Sequence, residues 1–308
     1  MKNNRVIGLG EGNTPLLRLA NLSRELNCDL WVKCEFINPT GSFKDRGSVS
    51  EILEAIKLGK SGVVCASTGN MAASLSAYAA QAKLECIVVV PTKTPKSKLR
   101  QALICGAKLE KVVGTYDDCV AVAKEIAKTK NYYLCGDYAV RRDGQKSIGW
   151  ELAESQVAFD AVVVPVGNGT VAVAIMEGLF DRRGLQKLPQ FVGVQAETAN
   201  PIEIAWQENK NIIPQRNTQT IASAFNVGNP LDGDLVLEWL QKSGGSMLSV
   251  SDLEIVQAQK ILSQKEGLFV ETTAASTVAA IFKNLQLFKG KRIVLVLTGS
   301  GLKEQIGD

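Results

Sequence analysis

Apolar runs of strand length alternate with segments of helical periodicity along most of the chain. The helical segments are about 10 to 15 residues long, a length typical of crossover helices between parallel strands. This alternation predicts an α/β fold built on parallel sheets. In a first series, strands are predicted over 62–65, 86–90, 109–113 and 132–135, and helices over 71–81, 95–104 and 116–128.

A second series follows a turn predicted at Arg142, Asp143 and Gly144. Ser251 and Glu254 have the spacing of a capping box, which predicts that a helix begins there. The stretch 209–245 is rich in Asn, Gly, Pro and Gln, and we interpret it as irregular connecting structure. The other elements predicted are helices ending near 154 and 265 and covering 171–181 and 273–285, and strands over 161–166, 191–196 and 293–297.

The two series predict a chain with two lobes. A length of 308 residues is enough to bury a large core and to divide it in this way. We predict a smaller α/β lobe over residues 48–142, and a larger one formed by residues 1–47 and 143–308. Each lobe is predicted to be an open, parallel-type sheet in three layers with flanking helices. Ligands of such sheets bind beyond the carboxyl ends of the strands, where glycine turns meet helix amino termini.

Composition narrows the chemistry that the chain can perform. The sequence contains no histidine, which excludes Ser-His-Asp and Cys-His pairs and HExxH zinc sites. We expect no metal site. The 35 Lys and Arg residues against 31 Asp and Glu give a formal charge of +4, without a long basic block. We therefore expect no nucleic-acid partner.

The chain carries no sign of export or of membrane insertion. Residues 1–13 lack the apolar core of a signal peptide, and no apolar stretch approaches the roughly 20 residues of a membrane span. Its seven cysteines are irregularly spaced, with no CxxC pair, and we expect them to be reduced and mostly buried. We expect a cytoplasmic protein with no membrane partner.

Lys44 is the first residue that indicates specific chemistry. It follows a tight turn and stands at the start of a predicted helix, where a lysine can serve as the amine of a Schiff base. Taken alone, the pattern also fits a solvated lysine in a capped turn.

A second segment, Ser67, Thr68, Gly69 and Asn70, is a strand-to-helix turn of small polar residues. Its N–H groups and hydroxyls could hold a carboxylate, and the Asn70 amide could bond a phenolic oxygen. An ordinary helix N-cap has the same composition.

Two further turns follow apolar strands. The first, after strand 161–166, is suited to wrapping N–H groups around a phosphate, but it lacks the GK[ST] ending of a nucleotide-triphosphate loop and the spacing of a dinucleotide fingerprint. The second contains Thr298, whose hydroxyl could meet a ring nitrogen at the mouth of the sheet. Either could also be a simple turn. The first consists of Gly167, Asn168, Gly169, Thr170 and Val171.

Together these segments supply an amine, an oxygen partner, a phosphate cradle and a ring-nitrogen partner in one order along the chain. In this order and in its motifs, the sequence resembles the fold-type II pyridoxal-phosphate enzymes, and most closely the threonine synthase family, over nearly its whole length. The motifs are EGNTPL (11–16), NPTGSFKDRG (38–47), CASTGN (65–70), GQK (144–146), PVGN (165–168), GNP (228–230) and LTGSGLK (297–303).

The resemblance implies a tryptophan synthase β-like fold, pyridoxal 5'-phosphate as cofactor, and a homodimer. It implies that Lys44 is the Schiff-base lysine, that Asn70 bonds the 3-oxygen of the cofactor, and that Thr298 meets the pyridine nitrogen. The turn from Gly167 to Val171 corresponds to the phosphate loop.

The resemblance also implies a small amino-acid substrate, possibly phosphorylated. Ser67, Thr68 and Gly69 would orient its carboxylate. Arg141, which aligns with a family arginine ahead of GQK, would attract the leaving phosphate.

The sequence departs from the family pattern where the family recognises the substrate phosphate. Each departure removes a donor or a charge, which is worth about 1 to 3 kcal/mol to an anionic group. The departures leave a less polar pocket and so bear on the substrate more than on the cofactor. They are Met71, Gly136, Tyr138, Gly169 and Asn226.

Three functional hypotheses follow. The first is threonine synthase, a lyase of amino-acid biosynthesis that converts O-phosphohomoserine and water into threonine and phosphate. The second is a related lyase or β/γ-replacement enzyme, either serine/threonine dehydratase-like or a synthase that uses phosphoserine. The third is a regulatory protein that binds pyridoxal phosphate without turnover, against which the intact Lys44 argues.

Overall fold

The computed structural model describes residues 7–304, which divide into two compact units. The first unit contains residues 7–12 and 38–145, and the second contains residues 13–37 and 146–304. In chain order the strands are β1 (Leu16–Arg18), β2 (Asp29–Lys33), β3 (Gly62–Ala66), β4 (Glu85–Pro91), β5 (Lys108–Val112), β6 (Tyr132–Leu134), β7 (Ala161–Pro165), β8 (Gln190–Ala196), β9 (Ser246–Val250) and β10 (Arg292–Val296).

The helices have the following bounds within the same residues. They are α1 (Ala20–Leu26), α2 (Lys44–Lys57), α3 (Asn70–Ala82), α4 (Lys96–Ile104), α5 (Tyr116–Thr129), α6 (Ala139–Glu154), α7 (Thr170–Arg183), α8 (Pro201–Glu208), α9 (Gly233–Ser243), α10 (Asp252–Glu266), α11 (Thr272–Lys283) and α12 (Leu285–Phe288).

The first unit is a parallel sheet in the order β5-β4-β3-β6, covered on both faces by helices. Side chains of a strand alternate between the faces. Val63 and Cys65 of β3 accordingly pack with α2 and α3, while Val64 and Ala66 pack with α5. This three-layer arrangement confirms the predicted fold class for this part of the chain.

The second unit is a sheet in the order β1-β2-β10-β7-β8-β9, in which the β1–β2 pair is antiparallel and the other pairs are parallel. Apolar residues of α1, α10 and α11 form one core cluster with alternate residues of the central strands. Val162 and Val164 of β7 belong to the opposite face and are also fully buried. Both faces of this sheet are therefore covered.

The first unit differs from the predicted smaller lobe, residues 48–142, at both ends. Because α2 is one continuous helix from Lys44, residues 44–47 belong with the helix that follows them. Residues 7–12 also belong to this unit, because they form hydrogen bonds with it: Gly8 N–H donates to Gln81, and Gly12 N–H donates to Asn38.

Two predictions about local structure were wrong. The turn predicted at Arg142, Asp143 and Gly144 is helical and lies within α6. The stretch 209–245, predicted as irregular, contains α9, whose residues Val236 and Leu240 are buried at helical spacing. The capping box at Ser251 and Glu254 is confirmed, since the side chain of each accepts from the backbone N–H of the other.

The structure also bears on the cysteines, metals and membranes. All seven cysteines are free, and six of them are buried. Within residues 7–304 there is no cluster of three or more acidic or Cys side chains placed to hold a metal ion. No helix of that part of the chain is long and apolar enough to cross a bilayer.

Candidate active site

Lys44 is the first residue of α2, and the turn before it is fixed by hydrogen bonds. The backbone N–H of Thr40 donates to Asp45 Oδ2 over 2.7 Å, and the Thr40 hydroxyl donates to Asp45 Oδ1 over 2.5 Å. Gly41 has a φ of +84°, a left-handed conformation that favours glycine. The turn therefore presents Lys44 at a fixed position at the amino end of the helix.

The amine of Lys44 lies beside a carboxylate. Its Nζ is 2.8 Å from Asp137 Oδ1 and 5.0 Å from the centre of the Phe43 ring. Asp137 follows β6, and the Lys44 side chain is only 18% exposed. The primary amine is thus held at the carboxyl edge of the four-stranded sheet, where ligands of such sheets bind.

The turn from Ser67 to Asn70 occupies the same edge. It follows β3, the neighbour of β6, and α3 begins at Asn70. The Ser67 hydroxyl accepts from Gly69 N–H over 3.3 Å. The first N–H groups of a helix have no partner within the helix and can bind an anion. Lys44 and this turn are therefore brought together within the first unit.

Arg141 is completely buried. One guanidinium nitrogen pairs with Glu51, which is also buried, and donates to the Ser48 hydroxyl. The other terminal guanidinium nitrogen donates to the carbonyl of Lys44 over 3.3 Å. Burial raises the pKa of Glu51, although the guanidinium opposes this effect. Arg141, which lies on α6, thus binds three residues of α2. Its contact with a substrate phosphate stays a prediction.

Two glycines allow α2 and α6 to approach each other closely. A Cβ on Gly144 would lie 2.2 Å from Ser50 Oγ and 2.4 Å from the carbonyl oxygen of Arg46. A Cβ on Gly47 would lie 2.6 Å from Arg141 Cγ. Any side chain at either position would therefore push apart the helix that begins at Lys44 and the helix that supports it.

The cysteines near this edge are not nucleophiles. Cys65 lies in β3 and Cys135 follows β6, and both are buried. Burial raises the pKa of both thiols well above the ordinary value. Because the thiolate is the reactive form of cysteine, both side chains stay inert near neutral pH.

In the second unit, the predicted phosphate turn joins β7 to α7. Gly169 has a φ of +92°, which a residue with a side chain adopts only with strain. A Cβ on Gly167 would lie 2.4 Å from the carbonyl oxygen of Ala224. Both glycines are thus required by the local backbone, which leads into the amino end of a 14-residue helix.

Thr170 gives this turn a feature expected of a ligand site. Its hydroxyl is buried and has no hydrogen-bond partner within the described chain. Buried polar groups are nearly always paired, so such a hydroxyl suggests that a ligand atom satisfies it. A phosphate oxygen fits, because it accepts hydrogen bonds and is stabilised at a helix amino terminus. The turn therefore fits the phosphate of pyridoxal phosphate.

Thr298 lies at the same edge of the six-stranded sheet as this turn. It follows β10, which pairs with β7 in parallel. Its side chain is 4% exposed. Gly299, the next residue, packs against Glu271, since a Cβ there would meet the Glu271 carboxylate at 2.0 Å. The structure thus brings the turn from Gly167 to Val171 and Thr298 to the same edge within the second unit.

Three acidic residues that sequence reasoning missed stand at these edges. Asp137 follows a predicted strand, where ligand-binding residues collect, and this signal could have identified it. Glu51 shares a helix face with Lys44 at a spacing of seven residues, which makes it an acid on a buried face. Glu271 gives no local signal, because its contact with Gly299 is long-range.

Comparisons with known proteins agree with this arrangement. Residues 7–299 match the family described as pyridoxal-phosphate dependent enzyme. The chain is 44% identical to a threonine synthase of Methanocaldococcus jannaschii, over 97% of this chain and 77% of that protein.

Solved structures share the fold. Maize serine racemase superposes with a TM-score of 0.85 at 21% identity, over 94% of this chain and 88% of the other. Threonine deaminase isoform 2 of Solanum lycopersicum, in its processed form, has a TM-score of 0.82 at 22% identity, over 93% of this chain and 79% of the other.

Proposed function

Because the chain belongs to the family of pyridoxal-phosphate dependent enzymes, we propose that it acts as a threonine synthase, converting O-phosphohomoserine and water into threonine and phosphate. Family membership makes it a lyase that uses pyridoxal phosphate. The choice of substrate is our proposal. The observation that carries it is the amine of Lys44, held at the carboxyl edge of a parallel sheet. The similarity to a threonine synthase over 97% of the chain supports the substrate.

The residues that would hold the cofactor are those that the family resemblance assigns to it. They are Lys44, Asn70, Thr298 and the turn from Gly167 to Val171. The buried Thr170 hydroxyl and the amino end of α7 fit a phosphate. When bound, pyridoxal phosphate withdraws electron density from the α-carbon of an amino acid and makes its proton acidic. Thr298 is neutral, so it would bond the ring nitrogen without forcing it to be protonated.

Lys44 would perform the proton transfers. Its amine is tethered beside the reacting carbons, and such a base raises rates through proximity and general base catalysis. It would take the α-proton and then move protons at the β-carbon. Ser67, Thr68 and the N–H groups at the start of α3 would orient the substrate carboxylate. Phosphate leaves the γ-carbon, and water adds at the β-carbon.

A second candidate is a lyase that acts on an amino acid without a phosphate, such as serine or threonine. The burial of Arg141 and its pairing with Glu51 favour it, because a guanidinium already neutralised by a buried carboxylate is a poor partner for a substrate phosphate. Met71, which follows Asn70 in α3, is also buried and adds no hydrogen-bond donor.

The two candidates predict different products. The purified protein, loaded with pyridoxal phosphate, is incubated separately with O-phosphohomoserine, O-phosphoserine, serine and threonine. Threonine and phosphate in equal amounts from O-phosphohomoserine support the first candidate. Ketoacid and ammonia from serine or threonine support the second. No product from any of the four would contradict both and favour a regulatory protein that binds the cofactor.

The role of Lys44 is tested with a matched pair of variants. Lys44→Ala should abolish the visible absorption of the bound cofactor and reduce turnover by about 100- to 10,000-fold, the usual range for a lost general base. Lys57→Ala removes an exposed lysine from the end of the same helix and should change neither. Retained absorption and turnover in Lys44→Ala would rule out the assignment.

A further inference from the structure

We propose that Asp137 is a positioning residue that holds the amine of Lys44 and stabilises the proton that this amine receives. Lys44 Nζ lies 2.8 Å from Asp137 Oδ1, and the two side chains are 18% and 14% exposed. Hydrogen bonds between charged groups of this kind are short and stronger than neutral ones. The inference rests on the proposed function, which assigns the proton transfer to Lys44.

The segment that carries Asp137 is anchored to the helix that begins at Lys44. The backbone N–H of Gly136 donates to Glu51 Oε1 over 2.9 Å, and the N–H of Tyr138 donates to the Gly136 carbonyl over 2.8 Å. Glu51 lies on α2, as Lys44 does. The amine and its carboxylate partner are therefore attached to the same helix, which keeps the distance between them short.

Other charged and titratable groups also lie near Asp137, in addition to Lys44. The charge of Arg141 is matched by Glu51. Burial and the Asp137 carboxylate raise the pKa of Tyr116 to about 12, and the same two causes raise the pKa of Tyr138. Both phenols therefore stay neutral near pH 7. The groups whose charges act on or respond to Asp137 include Lys44, Glu51, Tyr116, Tyr138 and Arg141.

A carboxylate in this position assists a specific step. When Lys44 takes the α-proton, the C–H bond breaks, an N–H bond forms at Nζ, and the electron pair of the broken bond stays with the substrate. The amine becomes an ammonium, and the negative charge of Asp137 stabilises it. The same contact fixes the direction from which Nζ returns the proton. Asp137 thus acts through Lys44 and does not touch the substrate carbon.

The test replaces the charge and keeps the shape. Asp137→Asn preserves the size and an oxygen acceptor, whereas Asp137→Glu preserves the charge on a longer side chain. Glu125→Gln, an exposed change on α5 of the first unit, is the matched control for loss of one carboxylate. Each protein is loaded with pyridoxal phosphate. We measure its visible absorption, and by NMR in deuterated water the exchange of the α-proton of serine, threonine and O-phosphohomoserine.

We expect Asp137→Asn to retain the visible absorption and to exchange the α-proton about 10- to 100-fold more slowly, the range for a lost hydrogen bond to a charged group. The loss should appear in kcat and not in KM. Asp137→Glu should recover part of the rate, and Glu125→Gln should equal the unaltered protein. If Asp137→Asn also loses the cofactor absorption, the test uses Asp137→Glu instead. The inference is overturned if Asp137→Glu exchanges the α-proton no faster than Asp137→Asn does.

The outcomes separate this inference from the proposed function. If the unaltered protein exchanges an α-proton and Asp137→Asn exchanges it within threefold of that rate, Asp137 only anchors its segment and the inference fails alone. If the unaltered protein exchanges no α-proton, the proposed function fails and the inference fails with it.

Discussion

Loss of Glu51 should destabilise the fold strongly, because it would leave a guanidinium buried without its carboxylate. Neither Glu51 nor Arg141 is more than 1% exposed. In Glu51→Leu, the remaining acceptors of Arg141 are the neutral Ser48 hydroxyl and the Lys44 carbonyl, both at 3.3 Å. An arginine cannot give up its proton in a protein. We expect a loss of about 3–5 kcal/mol in the free energy of unfolding, the range for a broken buried ion pair.

Loss of Arg141 should lower the free energy of unfolding less at low pH than at pH 7, because the Glu51 carboxylate can take up a proton. In Arg141→Met, burial without the guanidinium leaves the pKa of Glu51 above the ordinary value of 4.5. Protonating such a group costs at most about 3 kcal/mol at pH 7 and less than about 1 kcal/mol at pH 5. Because a raised pKa stabilises the fold at low pH and loses that effect as pH rises, the penalty of Arg141→Met should grow from pH 5 to pH 7.

Urea unfolding followed by far-ultraviolet circular dichroism measures these differences at both pH values. The double variant Glu51→Leu/Arg141→Met should recover most of the loss, since replacement of a whole buried pair by apolar residues is often nearly neutral. A cost below 1 kcal/mol for Glu51→Leu would refute the reasoning. Equal costs of Arg141→Met at pH 5 and pH 7 would refute it as well.

Three further predictions concern single side chains. Thr170→Val should weaken pyridoxal-phosphate binding about tenfold without lowering the stability of the cofactor-free protein, because the buried hydroxyl has no protein partner; fluorescence titration and urea unfolding check both parts. Gly169→Ala should lower the stability by about 1 kcal/mol or more and should also weaken cofactor binding, as the same two measurements will show. Gly184→Ala is the control, because Gly184 also has a positive φ (+67°) and no atom lies within 4 Å of a Cβ there, so it should lower the stability alone. Burial by itself would raise the pKa of Asp29, but hydrogen bonds from Arg18 and Arg292 lower it from the ordinary 3.8 to about 2. After allowance for solvent screening, Asp29→Asn should cost about 1 kcal/mol at pH 7, and the cost should shrink as pH falls from 4 toward 2, which unfolding at pH 7 and pH 3 will test.

Strands buried on both faces were predicted from the sequence within one or two residues. β3, β4 and β7 are continuous apolar runs, and the glycine turns after β3 and β7 mark where they end. β2 and β9 were missed, since β2 begins and ends with charged residues and β9 contains serines. Their strand character comes from pairing with β10 and β8, which no local pattern reveals.

The candidate site divides in the same way. Lys44 and the turns that follow β3, β7 and β10 are local features, and the sequence alone located them at strand ends and helix starts. The partners of these residues are distant in sequence. Asp137 is 93 residues from Lys44, and Arg141 is 90 residues from Glu51. Such pairs depend on how β6 and α6 lie against α2, which the sequence pattern cannot specify.

Gly47 and Gly144, the two glycines between α2 and α6, show that some motif positions of this chain have a steric role. Gly47 closes NPTGSFKDRG and Gly144 opens GQK, so a reader of motifs would assign both to chemistry. In the folded chain each fills a place where there is no room for even a methyl group. Part of what identifies these segments is therefore a steric requirement. A mutational scan should find positions 47 and 144 as intolerant of alanine as position 44, although neither glycine carries a functional group.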